Sequence, residues 1–305
     1  MKVAVLQVGY GDGEPFGERV ERVAALVAAQ RGCDLVILPE LWAMTGFGYQ
    51  QWEALAEPLP ESSRAVGAES LLGARPAGGA GAENLPGARP AGGAGAESLP
   101  GAGPVLSAMA AAAASAQVLL HAGSIVERLA TAGVDGNMLS NTSIVLSPSG
   151  ELLTIYRKIH RFGFGAGEPK LMEAGVVDAF VGLPGGRRAS LSTCYDLRFP
   201  ELYRRQVEAG AQAFLVPAAW PAARVGHWSL LGRARAVENQ CVLIACNTAG
   251  MHAGVQMGGR SQVVSARGEV LAEAGVEEEV LRVEIDLEET TRYRAEFPVL
   301  ADRRL

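Results

Sequence analysis

Short apolar runs alternate with helical patterns along the chain, and this alternation restricts the fold to the α/β class. Near the N-terminus, Val3–Val8 is a nearly continuous apolar run that predicts a β-strand. The segment Phe16–Gln30 places its valines on one helical face, and Asp34–Pro39 is a second apolar run. A strand–helix–strand unit normally has parallel strands. The first forty residues therefore predict a parallel pair of strands covered by a helix.

The same alternation continues to the C-terminal end. Further helices are predicted at Pro104–Ala116, Pro200–Ala209 and His227–Asn239. Further strands are predicted at Val118–Val126, Ser143–Leu146, Glu151–Tyr156, Arg187–Thr193, Ala213–Pro217, Cys241–Cys246, Ser261–Ser265 and Val280–Ile285. The turn residues at 148–150 indicate a hairpin. In the last helix we expect the inward residues to be Leu230, Leu231, Ala234 and Val237. The pattern predicts mixed sheets with helices outside them.

One segment departs from this alternation. From Glu69 to Pro104 the chain is dominated by Gly, Ala and Pro, and GARPAGGAGAENLP at 73–86 recurs as GARPAGGAGAESLP at 87–100. Each unit offers one Leu, which is too little apolar surface for stacked repeats. We therefore predict a single domain over 1–305 with a flexible low-complexity insertion at about 61–103. A partner-binding arm and a cover over the active site are the alternatives.

Composition narrows the classes of partner. The net charge is −6 and no run of Lys or Arg stands out, which argues against nucleic acid as a partner. No apolar stretch reaches the ~18 residues that a membrane span requires, and the N-terminus is better explained as a strand than as a signal peptide. The four cysteines and four histidines show no CxxC or HExxH spacing, so no metal is expected. We predict a cytoplasmic protein.

Three reactive side chains follow predicted strands. Glu40 comes after DLVILP, Lys158 after ELLTIYR and Cys194 after RRASLST. Sites in α/β folds gather beyond the carboxyl ends of strands, so the three are expected to meet if those strands are parallel neighbours. Attack on an amide carbon needs a nucleophile, a base and a cation for the oxyanion. Cys194, Glu40 and Lys158 can supply these roles, and the backbone N–H after Cys194 can assist.

The segments around these residues resemble the nitrilase superfamily of carbon–nitrogen hydrolases. The matching segments are LPELW (38–42), NTSIVLSPSGELLTIYRKIH (141–160), CYDLRFPELYR (194–204), GHWSLLGRARAVENQ (226–240) and GGRSQVVSARGEVLAEAG (258–275). The resemblance spans residues 1–300 apart from the repeat. It implies a four-layer α-β-β-α sandwich, no cofactor, and homo-oligomers, dimers or higher, that form by stacking the outer helices.

The resemblance also implies roles for individual residues. The family's catalytic Glu, Lys and Cys fall on Glu40, Lys158 and Cys194, and its supporting second glutamate falls on Glu168, with Glu173 the weaker candidate. The small-amide amidases are the most similar branch, including ω-amidases and enzymes acting on deaminated glutathione.

For this branch we expect a small-molecule amide substrate, hydrolysed through a Cys194 thioester, and pocket positions at Tyr195, Trp220 and His227. Arg198 could bind a substrate carboxylate, but an internal salt bridge is the preferred interpretation. Three alternatives remain open: a nitrile or N-carbamoyl amine hydrolase, an acyl transferase, and an inactive scaffold member.

Overall fold

The computed structural model describes residues 1–60 and 101–304. The predicted insertion at about 61–103 therefore lies outside the described residues, apart from its last three positions. The helices are α1 (Phe16–Ala28), α2 (Trp52–Leu55), α3 (Pro104–Ala116), α4 (Glu168–Leu171), α5 (Pro200–Glu208), α6 (Val225–Asn239) and α7 (Glu288–Glu296). The strands are β1 (Lys2–Gln7), β2 (Gly9–Gly11), β3 (Leu35–Ile37), β4 (Glu57–Pro58), β5 (Leu119–Arg128), β6 (Leu139–Leu146), β7 (Leu152–Arg157), β8 (Phe180–Leu183), β9 (Arg187–Leu191), β10 (Ala213–Pro217), β11 (Val242–Cys246), β12 (Ala249–His252), β13 (Val255–Gln256), β14 (Gln262–Val264), β15 (Val270–Glu273) and β16 (Glu279–Glu284).

The first sheet contains the predicted N-terminal unit. Its strand order is β16-β1-β3-β5-β6-β7, with β4 beside the far end of β5. Strands β1 and β3 are parallel, with Val3 opposite Leu35, so the predicted strand–helix–strand unit is confirmed. Strands β6 and β7 form the predicted antiparallel hairpin. The largest change in bounds is in β6, which begins at Leu139 rather than at Ser143.

The second sheet has the strand order β15-β14-β11-β10-β9-β8. Its centre is parallel, because β10 pairs in parallel with both β9 and β11. Helix α5 connects β9 to β10, and helix α6 connects β10 to β11. Parallel strands are usually joined by a helical crossover of this kind. The antiparallel strands β8, β14 and β15 lie at the two edges.

Three apolar cores show how the two sheets and the helices are layered. Alternate residues of central strands point to opposite faces, so each sheet buries both faces. The core between the sheets contains Val3, Val5, Leu35, Ile37, Leu191, Leu215 and Ile244. The outer core of the first sheet contains residues of α1 and α3, and that of the second sheet contains residues of α5 and α6. The predicted four-layer α-β-β-α sandwich is confirmed.

The prediction for the inward face of α6 was wrong for Leu230 and Val237, whereas Leu231 packs against the outer core of the second sheet and Ala234 is half-buried. Leu230 is 67% exposed and Val237 is 49% exposed. The buried face instead contains Trp228, Gly232 and Ala236, and a Cβ at Gly232 would collide with the amide of Gln262. Apolar residues occupy both faces of this helix, so periodicity alone cannot choose between them. The close approach of Gly232 to the sheet decides the face.

The apolar pattern did not predict strands β2, β4, β8, β12, β13 and β15. Strands β2, β12 and β13 form a small sheet of their own, and β8 and β15 lie at or near sheet edges. Among the helices of the described part of the chain, none has the length and apolar character needed to cross a membrane.

Candidate active site

Glu40 lies just beyond β3 and is buried between the two sheets. Its Oε2 accepts a hydrogen bond of 2.9 Å from the backbone N–H of Ala219, which follows β10. Its own N–H donates to the carbonyl of Ala218 over 3.3 Å. Glu40 follows a strand of the first sheet but is held by backbone groups that follow a strand of the second. Both sheets therefore contribute to the site.

Lys158 directly follows β7, and its side chain is only 2% exposed. Its Nζ lies 2.7 Å from Oε1 of Glu40 and 2.9 Å from Oε2 of Glu168. Burial alone would lower the pKa of Lys158, but the two carboxylates outweigh it and hold that pKa well above its usual range. The ammonium therefore stays charged, as a cation that stabilises an oxyanion must.

Glu168 is the first residue of the short helix α4, after Gly167 with a φ of 77°. Burial is the largest cause of its raised pKa, which Lys158 counteracts. Asn141, on β6, donates from Nδ2 to Oε1 of Glu40 over 2.8 Å and to Oε1 of Glu168 over 2.6 Å. Glu173 lies outside this cluster, because its carboxylate accepts the backbone N–H groups of the 135–137 loop.

Cys194 begins a 3₁₀ turn, Cys194–Arg198, three residues after β9 ends. Its φ of 49° is in the left-handed region that side chains rarely adopt. A capping box between Thr193 and Asp196 fixes the turn. Burial and the carboxylate of Glu40 raise the pKa of the Cys194 thiol well above its usual range, although Lys158 acts in the opposite direction. The resting group is a neutral thiol that contacts its prospective base, Glu40.

A cavity opens above Cys194. Its floor is formed by Glu40, Lys158, Glu168 and Cys194. Aromatic rings form its walls, namely Phe47, Tyr49, Phe162, Tyr195 and Trp220. Two guanidinium groups, those of Arg198 and Arg224, also line it. The cavity thus combines a reactive floor, apolar walls and a cationic rim.

Two of the three predicted pocket residues line the cavity, and the third does not. Tyr195 and Trp220 line the cavity, and Trp220 also packs in the outer core of the second sheet. His227 does not line the cavity: it is exposed, and its Nδ1 lies 3.5 Å from both terminal nitrogens of Arg198. Within residues 1–60 and 101–304, Arg198 has no carboxylate partner. The expected internal salt bridge is therefore not found, and the guanidinium lies over the Trp220 ring at 4.6 Å.

The strands that precede the three reactive residues are not parallel neighbours, so the condition set for their meeting at one sheet edge is not met. Glu40 follows β3 and Lys158 follows β7, two strands that β5 and β6 separate within one sheet. Cys194 follows β9 of the other sheet. The three side chains meet because the two sheets are stacked face to face, with strand ends of both at one end of the sandwich. Apolar periodicity in the sequence predicts strands, but it does not predict how two sheets stack.

Several residues of this site were not predicted. Asn141 was within a matching segment, but it stands among Ser140, Thr142 and Ser143 in the polar half of β6, so no local pattern singled it out. Phe47 and Tyr49 belong to loops and Arg224 ends the 3₁₀ turn Ala222–Arg224, and segments this irregular or short have no periodicity that marks an inward side. In the described part of the chain, no group of three or more His, Cys, Asp or Glu side chains is placed to hold a metal ion.

Known proteins are similar to this chain in sequence and in fold. The family profile for carbon-nitrogen hydrolases matches residues 2–295. The 2-oxoglutaramate amidase of Paenarthrobacter nicotinovorans is 37% identical over 308 residues, which cover 100% of this chain and 90% of that protein.

Two solved structures are similar over the whole chain. The CN-hydrolase superfamily protein XC1258 of Xanthomonas campestris, with an arsenic adduct in its active site, has a TM-score of 0.77 at 26% identity, covering 100% of this chain and 97% of that one. Nit3 of Saccharomyces cerevisiae, a member of the nitrilase superfamily, has a TM-score of 0.73 at 25% identity, with coverage of 100% and 97%. The chain therefore belongs to the carbon–nitrogen hydrolase family, and it is an amidase.

Proposed function

We propose that the protein hydrolyses the ω-amide of a short 2-oxo acid, such as 2-oxoglutaramate, to the carboxylate and ammonia. The observation that carries the proposal is the guanidinium of Arg198, which lines the cavity above Cys194 and pairs with no carboxylate in the described residues. The relative from Paenarthrobacter nicotinovorans, named for action on 2-oxoglutaramate, supports the same class of substrate.

The charges of the cavity favour an anionic substrate. Glu40 and Glu168 already share the ammonium of Lys158 on the floor. Arg198 and Arg224 therefore add positive charge at the rim that no described carboxylate neutralises. A guanidinium binds a carboxylate through two parallel hydrogen bonds, which also fixes the orientation of the substrate. The substrate carboxylate would bind at this rim and its amide would lie over Cys194.

The first chemical step forms a thioester. The Cys194 sulfur attacks the amide carbon while its proton passes to the Glu40 carboxylate. The developing oxyanion accepts hydrogen bonds from Lys158 and from the backbone N–H of Tyr195. Glu40 then returns the proton to the nitrogen, the carbon–nitrogen bond breaks, and ammonia leaves. The acyl group remains on the sulfur.

The second step releases the acid. A water molecule gives a proton to Glu40 and attacks the thioester carbon. The carbon–sulfur bond then breaks, and the thiolate recovers its proton from Glu40. Throughout, Glu168 keeps Lys158 charged and oriented without taking part in proton transfer. The same carboxylate thus acts as base and acid in both steps, which explains why one buried glutamate contacts the thiol.

The test is ammonia release from a matched series of amides. We expect 2-oxoglutaramate to react with the highest kcat/KM, glutaramate to react less well because it lacks the 2-oxo group, and butyramide to be poorest because it lacks the carboxylate. Cys194→Ala should abolish release and leave the fold intact. Preference for a nitrile or an N-carbamoyl amine, or release of ammonia without free acid, would replace the proposal with one of the alternative chemistries.

We also propose a cytoplasmic homo-oligomer built from a single domain over 1–305 that carries the insertion. The exposed Leu230 and Val237 on the outer helix α6 support self-association, because burying such apolar side chains is favourable. Light scattering should find a dimer or larger assembly for the wild type and a monomer for Leu230→Glu. A monomeric wild type would contradict this proposal.

A further inference from the structure

The side chain of Asn141 joins the two glutamates of the site. It is buried on β6, and its Nδ2 lies 2.8 Å from Oε1 of Glu40 and 2.6 Å from Oε1 of Glu168. An amide nitrogen carries two hydrogens, so each carboxylate receives one. The Oδ1 of Asn141 has no hydrogen-bond partner among the described residues. All hydrogen bonds of this amide group are therefore made to the two carboxylates.

The same two oxygens also accept hydrogen bonds from Lys158. Its Nζ is 2.7 Å from Oε1 of Glu40, and it is 3.0 and 2.9 Å from the two oxygens of Glu168. An ammonium has three N–H groups. One points to Glu40 and one is shared by the two oxygens of Glu168, so a third remains. Because Lys158 lines the cavity, this third N–H is available to a substrate.

We propose that Asn141 is a positioning residue that leaves one N–H of Lys158 free for the oxyanion of the substrate. By donating to both glutamates, it reduces the number of hydrogen bonds that they need from the ammonium. The inference rests on the proposed roles of Glu40 and Lys158. It assigns a function to a residue that does not itself line the cavity.

Loss of the amide would disturb this arrangement in a predictable way. Two buried carboxylates would face each other with only Lys158 between them. The ammonium then turns its third N–H toward one carboxylate, and the carboxylate that is left with fewer donors binds its proton more tightly. The first change weakens oxyanion stabilisation, and the second raises the pH at which the base becomes competent. Both act on the chemical step, because substrate in its ground state does not contact Asn141.

The test compares Asn141→Ala and Asn141→Ser with Asn137→Ala. Asn137 is the matched control, because its Nδ2 donates to the carbonyl of Met172 and not to a carboxylate of the site. For Asn141→Ala we expect kcat to fall about 100-fold, as for the loss of one oxyanion donor, with KM changed less than about threefold. Asn141→Ser retains one donor and should give an intermediate kcat. Asn137→Ala should match the wild type.

The pH profile supplies a readout that a purely structural defect would not move. In Asn141→Ala the acidic limb of the kcat profile should shift to higher pH, since a carboxylate that loses a donor binds its proton more tightly. An unchanged kcat, a change confined to KM, or an unshifted acidic limb would overturn the proposal. If Asn141→Ala does not fold, the profile of Asn141→Ser decides by the same criteria.

The measurement also separates this inference from the proposed substrate. It uses whichever amide the wild type hydrolyses fastest, so a preference for a substrate other than 2-oxoglutaramate does not affect it. Cys194→Ala is assayed in parallel. Turnover that survives in Cys194→Ala would contradict the proposed mechanism itself, whereas wild-type behaviour of Asn141→Ala would contradict only the role of Asn141.

Discussion

The phenol oxygen of Tyr156 lies 2.7 Å from Oδ2 of Asp196, and this bond joins the strand that ends before Lys158 to the turn that begins with Cys194. Asp196 is fully buried and also accepts the backbone N–H groups of Thr193, at 2.8 Å, and His160, at 2.9 Å. One carboxylate thus holds the Tyr156 side chain before the lysine, the backbone after the lysine and the backbone next to the cysteine. A residue in left-handed conformation costs about 1–2 kcal/mol, so this anchoring explains how Cys194 keeps its φ of 49°.

Asp196→Asn should therefore lower both stability and activity. An amide nitrogen cannot accept the hydrogen bonds that Asp196 receives, so buried donors lose their acceptor, at a cost of about 2–4 kcal/mol in the free energy of unfolding. Urea denaturation measures the change, and kcat should fall with it. Tyr156→Phe removes a single bond and should cost about 1–2 kcal/mol. Equal midpoints for the wild type and Asp196→Asn would refute the anchoring role.

The titration of Cys194 can be tested with a small alkylating reagent. Because burial and Glu40 raise the pKa of the thiol, the alkylation rate should still be rising at pH 9. Glu40→Gln removes the negative charge and should lower that pKa, which makes alkylation faster at pH 8 while amide hydrolysis falls more than about 100-fold.

The alkylation rate is measured in a Cys33→Ser background, because Cys33 is half-buried whereas Cys241 and Cys246 are buried. Slower alkylation in Glu40→Gln would instead mean that Glu40 accelerates the reaction as a base more than it disfavours the thiolate.

Arg198 should determine the preference for an anionic substrate. Arg198→Met keeps much of the packing on Trp220 but removes the charge. KM for 2-oxoglutaramate should therefore rise about 100-fold, at the lower end of the cost of removing one partner of a hydrogen-bonded charge pair. Turnover of butyramide should change less than about threefold, because this substrate has no carboxylate. Arg224→Met is the companion variant, and it shows whether one or both guanidinium groups contribute. Equal losses for both substrates would place Arg198 outside the carboxylate site.

His252 should make the fold sensitive to acid. It is fully buried and stacks on Tyr10 with ring centroids 4.3 Å apart. Burial, with the nearby charge of Arg19, lowers the pKa of His252 from 6.5 to about 4. The unfolded chain binds this proton at a higher pH than the folded chain, so stability that is present above pH 6.5 is lost as the pH falls toward 4. The loss is on the order of 3 kcal/mol.

The control for this prediction is His252→Phe, which keeps an aromatic ring against Tyr10 and removes the titration. Urea midpoints measured at pH 7.5 and pH 4.5 should differ less in the variant than in the wild type. Other buried groups such as His121 titrate in both proteins, so their contributions cancel in the comparison. Parallel pH dependences of the two proteins would show that His252 contributes nothing to acid sensitivity.

Much of the fold was predictable because each strand is short, apolar and bounded by turn residues. The bounds of Pro104–Ala116 and Ala213–Pro217 agree with the prediction. The helix α6 was placed correctly, but its inward face was not, because Leu230 and Val237 mark an apolar face that the domain itself leaves exposed. Periodicity reveals that a face is apolar and not what covers it.

The sequence by itself determined the reaction class, since Glu40, Lys158 and Cys194 each follow a predicted strand within a segment typical of one family. Only the tertiary structure decided how they meet. The three residues come from separated strands of two sheets, and Asn141 and Asp196 acquire their roles through contacts between residues 27 to 101 positions apart. Arg198 acquires its role by lining the cavity. Stacking of the sheets sets those contacts, and local periodicity carries no information about stacking.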